Sequence, residues 1–134
     1  PMVRADSRKI KQVLLNLLQN AIKFTPGPGQ VRTIASTTPN GGISIAVIDT
    51  GIGMKEEDIP RALERFGQIE GSLSRHYNGA GLGLPLAKAL MTLHGGTLDI
   101  SSSLGQGTQV TLTLPRDRVV GPKPGDVSEK RITA

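Results

Sequence analysis

The stretch DSRKIKQVLLNLLQNAIKF, residues 6–24, constrains the fold more than any other. Ile10, Val13, Leu14, Leu17, Leu18, Ala21 and Ile22 recur at steps of three and four, the signature of a helix with a wide apolar face. Such a face must be covered by a second layer. Asp6 or Ser7 is placed to cap the first turn. The prolines and glycines of TPGPG, residues 25–29, end the helix.

The rest of the chain supplies that layer. QVRTIASTT and GISIAVID read as strands around PNGG, where Asn-Gly predicts a tight hairpin. Ile43, Ile45 and Val47 share one face of the second strand. A helix from about 83 to 94 turns Leu84, Ala87, Leu90 and Met91 inward, and Gly95 and Gly96 end it. TLDISS and TQVTLTL form a second strand pair, joined by SLGQG. Residues 54–80 have little to bury beyond IPRALERF and read as a mobile loop region or lid. From Arg116 onward the chain is rich in proline, glycine and charge, and reads as a linker or tail. The expectation is an α+β domain, with a mostly antiparallel sheet and helices on one face.

With 134 residues, one core is accommodated and two are not. The absence of cysteine excludes a disulfide scaffold and a thiolate zinc site. A net charge of +5 fits either a solvated surface or attraction to an anionic ligand. One tyrosine, two phenylalanines and no tryptophan make a poor stacking platform, so no nucleic-acid partner is expected.

Three groups of residues point to chemistry. On the polar side of the first helix, Gln12, Asn16, Asn20 and Lys23 form a stripe. They read either as solvated helix residues or as a ligand site, with amide oxygens for Mg²⁺ and a lysine for phosphate. Asp49 closes a buried strand and leads into TGIG. It reads either as a turn residue or as a carboxylate at a pocket floor, an acceptor suited to the exocyclic amine of adenine. Gly51 and Gly53 would then let the backbone approach the base. Gly79, Gly81 and Gly83 precede a helix and can place N–H groups around an anion, or can simply form a flexible loop. They run G-x-G-x-G with no strand leading in, which is not a dinucleotide fingerprint, and the lysine and Ser/Thr pair of a P-loop is missing.

In this order the blocks QVLLNLLQNAIKFT, DTGIGM, ERFGQIEGSLSR and GAGLGLPLAKALMTLHGG resemble the N, G1, F and G2 boxes of the catalytic ATP-binding domain of bacterial sensor histidine kinases. That domain belongs to the wider group shared with DNA gyrase B, Hsp90 and MutL. The likeness extends through TLDISSSLGQGTQVTLTLP and covers about residues 4–115. It implies a Bergerat-type two-layer α/β sandwich with a mixed, mostly antiparallel sheet, occupying residues 1–115, followed by a linker or tail at 116–134. It further implies that Asn16 and Asn20 hold Mg²⁺ and the phosphates, that Lys23 touches a phosphate, and that Phe24 flanks the nucleotide. Asp49 would read adenine beside Gly51 and Gly53, with Thr108 near the same pocket. Phe66 would anchor the lid, Arg75 would reach the phosphate tail, and Gly79, Gly81, Gly83 and Leu84 would line its exit.

The departures are specific. Ala80 stands where threonine is frequent, and Leu63 and Arg65 replace a phenylalanine and a proline of the F box. The opening PMVRAD falls where the family has a preceding strand or two, so an excised piece with one unpaired sheet edge is expected. Neither His76 nor His94 matches the family's phosphoacceptor. The function implied is donation of the ATP γ-phosphoryl group to a histidine on a separate dimerisation domain. A response regulator would act downstream, and the homodimeric parent would hold this domain in the cytoplasm, with or without a membrane anchor. The alternatives are a switch ATPase of the wider group and a non-catalytic, nucleotide-dependent interaction module. As a family, the ATPases carry a glutamate one turn before the Mg²⁺ asparagine. Asn16 stands there in this chain and cannot take a proton from water at neutral pH.

Overall fold

The computed structural model describes residues 2–63, 83–120 and 130–133. Two layers form it. The first is a five-stranded sheet, antiparallel in every described pair, and the second is a set of helices on one of its faces.

The first strand, β1 (Met2–Val3), leads into helix α1 (Ser7–Lys23). The Asp6 carboxylate accepts hydrogen bonds from the Arg8 and Lys9 backbone N–H groups, which fixes where α1 begins. Val13, Leu17 and Ala21 are its buried residues, and Ile10, Leu14 and Leu18 are partly buried at its flanks. Ile22 departs from the expectation and is 61% exposed. It lies about 140° from Leu17 around the helix, past the edge of the covered stripe.

The hairpin of β2 (Val31–Thr37) and β3 (Ile43–Asp49) forms with Thr37 opposite Ile43. It closes around residues 39–41 rather than through Asn40-Gly41 alone, because the Thr38 side-chain oxygen accepts from the Gly42 N–H and supplies part of the turn. A short 3₁₀ turn, Glu56–Asp58, precedes α2 (Ile59–Leu63). The lid and F-box residues beyond it, Phe66 among them, lie outside the described residues.

Helix α3 (Gly83–Leu93) buries Leu84, Pro85, Ala87 and Met91, with Leu90 partly covered. At its end the Gly96 N–H reaches the Met91 carbonyl and the Gly95 N–H reaches Thr92, so two otherwise orphaned carbonyls are satisfied. Strands β4 (Thr97–Ser103) and β5 (Gly107–Leu114) complete the second hairpin. Two further strands follow, β6 (Val119–Val120) and β7 (Lys130–Thr133). The sheet order is β4-β5-β3-β2-β7, and β1 pairs with β6 separately.

Part of the stretch expected as linker or tail is therefore paired. β2 carries β7 from Arg32 to Ala35, and β4 is left as an edge with no partner on its outer side among the described residues. The reason is geometric: β2 presents a row of unused N–H and C=O groups, and any extended segment within reach gains by pairing there.

The core lies between α1, α3 and one sheet face, with Val13, Leu17, Val47, Ala87 and Met91 at its centre. The two helices run antiparallel. Gly83 at the start of α3 sits against Asn20 and Asn16 of α1, and His94 just past the end of α3 bonds Asp6 at the start of α1.

Candidate nucleotide site

A recess opens between the C-terminal half of α1, the start of α3 and the ends of β3 and β5. Its empty space is about 470 Å³ counted out to solvent. Leu17, Ala21, Val47, Met54, Leu84 and Val110 make apolar walls. The polar side chains along it are Asn20, Asp49 and Thr108.

Asp49 is the last residue of β3, so its side chain leaves the sheet at the mouth of the recess. Its Oδ1 accepts from the Gly51 N–H at 2.9 Å and the Thr108 N–H at 3.2 Å. Oδ2 has no hydrogen bond among the described residues. Burial pushes the carboxyl above its ordinary value, while the two backbone donors pull the other way. An acceptor is thus held in place by one oxygen while the other stays available.

Asn20 lies across from it. Its Nδ2 is buried and has no hydrogen-bond partner, the one such side-chain atom among the described residues. A buried amide without a partner costs about 1–3 kcal/mol, so the atom marks a place where an acceptor is wanted. A methyl group at Gly83 would stand 3.3 Å from that nitrogen, so a side chain there would crowd the amide. Asn16, one turn earlier, is differently placed. Its Oδ1 accepts from Gln12 Nε2 at 2.8 Å, and it does not line the recess. Lys23 packs its ammonium 5.6 Å from the Phe24 ring centroid, and Phe24 lines the recess.

Gly51 and Gly53 both sit where the backbone packs closely, and Gly53 lines the recess. A Cβ at Gly51 would collide with the Phe24 carbonyl, and one at Gly53, where φ is +66°, would collide with the Ser103 carbonyl and crowd that of Gly107. These glycines let the loop after β3 close onto α1 on one side and the β4–β5 hairpin on the other. The Ile52 N–H bonds the Phe24 carbonyl, and the Gly105 N–H bonds the Ile52 carbonyl. They shape the recess by protein-to-protein contact.

The structure therefore brings together Asn20, Phe24, Asp49, Gly53, Leu84 and Thr108 on the recess, with Gly51 and Gly83 beside it and Asn16 and Lys23 near its α1 rim. Arg75, Gly79 and Gly81 lie outside the described residues. Ile52 and Met54, both lining residues, went unassigned by sequence reasoning, as did Ser102, which bonds Thr108 and Met54. Ile52 and Met54 sit inside the motif DTGIGM, but an apolar loop residue carries no mark of facing a ligand. Among the described residues no group of three or more His, Cys, Asp or Glu could hold a metal ion, and no helix is long and apolar enough to cross a membrane.

Residues 5–118 match the family model described as histidine kinase-, DNA gyrase B-, and HSP90-like ATPase. The chain is 49% identical over 118 residues to the non-motile and phage-resistance protein of Caulobacter vibrioides, covering 86% of this chain and 14% of that protein. It is 40% identical over 119 residues to the circadian input-output histidine kinase CikA of Synechococcus elongatus, covering 89% and 16%. Histidine protein kinase DivJ of Caulobacter vibrioides is 46% identical over 113 residues, covering 84% and 19%. The chain thus spans less than a fifth of the length of these relatives. Among solved structures, full-length ShkA in complex with AMPPNP superposes with a TM-score of 0.73 at 35% identity, covering 86% of this chain and 23% of that one. The mycobacterial sensor histidine kinase MprB superposes with a TM-score of 0.69 at 29% identity, covering 83% and 72%. The matched model and the shared fold place this chain in the histidine kinase-, gyrase B- and HSP90-like ATPase family, as an α+β ATP-binding catalytic domain of the histidine-kinase kind.

Proposed function

We propose that the recess holds the base of ATP, with Asp49 Oδ2 accepting from the exocyclic amine, and that the domain donates the γ-phosphoryl group to a histidine on a separate dimerisation domain. The observation that carries this reading is the pairing of opposite needs along one recess: among the described residues, an acceptor oxygen without a partner on Asp49 and a buried donor without a partner on Asn20. Adenine offers the donor and a phosphate oxygen offers the acceptor. The apolar walls between them suit a flat base.

The residues present fit Mg²⁺ as well as the nucleotide. With Asn20 Nδ2 turned to a phosphate oxygen, its Oδ1 is left for a hard cation, and Asn16 Oδ1 keeps a lone pair beyond its bond from Gln12. When bound, the ion would offset charge on the phosphates. Lys23 would add a point charge at the same end. Asn16 supports transfer to a protein nucleophile over hydrolysis, since an amide takes no proton from water. Several relatives carry the words histidine kinase in their names, and ShkA was solved with AMPPNP, a triphosphate analogue. A histidine-bearing domain of a homodimeric, cytoplasmic parent and a response regulator downstream complete the proposal.

The test adds the dimerisation domain of a related histidine kinase in trans with labelled Mg²⁺-ATP. The expected product is an acid-labile, base-stable phosphohistidine. No labelled histidine, in a mixture where this chain binds ADP and that domain accepts phosphoryl groups from its own kinase, would defeat the proposal.

A further inference from the structure

Ser102 does not line the recess, yet three groups converge on its hydroxyl. The Met54 N–H donates to Ser102 Oγ at 2.9 Å. The Gly107 carbonyl lies 2.9 Å from Oγ, and Thr108 Oγ1 lies 2.8 Å from it. The chain on either side is hydrogen-bonded in place: Ser102 pairs with Thr108 across the β4–β5 ladder, and the Thr108 N–H is held by Asp49 Oδ1.

A hydroxyl has one hydrogen and two lone pairs. A carbonyl only accepts, so the Gly107 oxygen takes the Ser102 hydrogen. The Met54 N–H then fills one lone pair of Ser102 Oγ, and the other is left for Thr108. The hydrogen in the Ser102–Thr108 contact therefore comes from Thr108. With its own hydrogen spent on Ser102, Thr108 Oγ1 turns only lone pairs toward the recess it lines.

We infer that Ser102 is a positioning residue: it commits the Thr108 hydroxyl to act as an acceptor toward the ligand and pins Met54 at the recess wall. Thr108 and Asp49 then form one edge that accepts and does not donate. That edge favours a base whose facing side carries an N–H donor, bonded directly or through a water that such an edge orders. The inference rests on the reading of the recess as an adenine site. It adds that base selection depends on a residue that never touches the base.

The test measures Kd by calorimetry for ADP and for purine riboside 5′-diphosphate, which lacks the exocyclic amine. The unmodified chain, Ser102→Ala, Ser102→Thr, Thr108→Ala and the Ser102→Ala/Thr108→Ala double variant are compared. Binding of neither nucleotide, or of both equally, by the unmodified chain would remove the adenine reading itself. Given a preference for ADP, Ser102→Ala is expected to weaken ADP binding by about tenfold, the worth of one hydrogen bond. It is also expected to shrink the ratio of the two Kd values several-fold. Ser102→Thr, which keeps the hydroxyl, restores both. The double variant binds ADP as Thr108→Ala does, because Ser102 acts through Thr108. Additive losses, or a Kd ratio unchanged in Ser102→Ala, would show a role in hairpin stability alone and overturn the inference. Where Ser102→Ala does not fold, Ser102→Cys carries the same test. Its thiol bonds weakly, so the ratio still falls, and a ratio held at the unmodified value overturns the assignment.

Discussion

Asp49 concentrates the energetics of the site at one residue. Its folded pKa lies above the ordinary 3.8 because burial disfavours the charge more than the Gly51 and Thr108 donors favour it. Between 3.8 and the raised value the folded chain holds more protons than the unfolded one. Stability therefore falls as pH rises through that window, and the loss persists above it. Asp49→Asn keeps an Oδ1 able to accept both backbone bonds and removes the charge. The variant is expected to be at least as stable at neutral pH, with its slope across the acid window flattened, as denaturant titrations at several pH values would show. It is also expected to bind ADP about 10–100-fold more weakly, the range for a hydrogen bond to a charged group. Equal ADP affinity in the variant would mean the carboxylate does not read the base. Across the recess, Asn20→Ala removes the buried amide that lacks a partner. Mg²⁺-ATP binding is expected to weaken by about tenfold or more while adenosine binding changes little. Mg²⁺ dependence left intact in calorimetry would move the phosphates elsewhere. Asn20 and Asp49 were visible as candidates in the sequence because polar groups beside apolar neighbours are costly without a partner. Ser102 was not visible, because a serine in a strand with an exposed polar face looks like any other.

For α1, α3 and strands β2 to β5 the periodicity was sufficient. The helix stripe, the alternation in β3 and β5, and the glycines after Leu93 set boundaries within a residue or two of those found. The connection between elements was not legible. His94 reads as a residue before a turn, yet it is 5% exposed and joins two helices. Its Nε2 accepts from the Asp6 N–H at 3.1 Å and its Nδ1 lies 2.8 Å from the Leu90 carbonyl. Those partners place the ring proton on Nδ1. No local pattern announces a bond between residues so far apart in sequence. The clasp sits at the start of α1 and the end of α3, the opposite ends of these helices from Asn20 and Gly83. His94→Ala is expected to cost about 1–3 kcal/mol, since an N–H and a carbonyl lose a buried partner. Asp6→Ala, which leaves that backbone bond in place and removes the cap, is expected to cost about 1 kcal/mol. Urea unfolding of both variants checks the order, and a His94 variant as stable as the parent would show that water replaces the ring.

For the whole molecule the sequence gives no warning of how the chain's two ends are used. The stretch after Arg116 lacks the length and alternation of a strand, so its composition reads as a tail. Pairing there is decided by what the rest of the sheet leaves open. The recess draws on β3 and β5 and on the ends of α1 and α3, whereas β7 lies on the far side of β2 and no residue of β2 lines the recess. Cover of the sheet edge and ligand binding are therefore separable. Removing residues 121–134 takes β7 away and leaves the β6 pairing with β1 intact. The bared β2 edge from Arg32 to Ala35 then offers its backbone groups to another chain. Its side chains include Ile34, and a single arginine is a weak guard against edge-to-edge pairing. The truncated chain is expected to associate with rising concentration in light-scattering measurements and to unfold at a lower temperature. Its ADP affinity at low concentration is expected to stay within about twofold of the parent, a change of under 1 kcal/mol. A monomer of unchanged melting temperature would mean that β7 contributes nothing to the sheet. Lost ADP affinity without association would mean that the edge strand and the recess are coupled through β2 and β3, and that the two functions of the sheet cannot be separated.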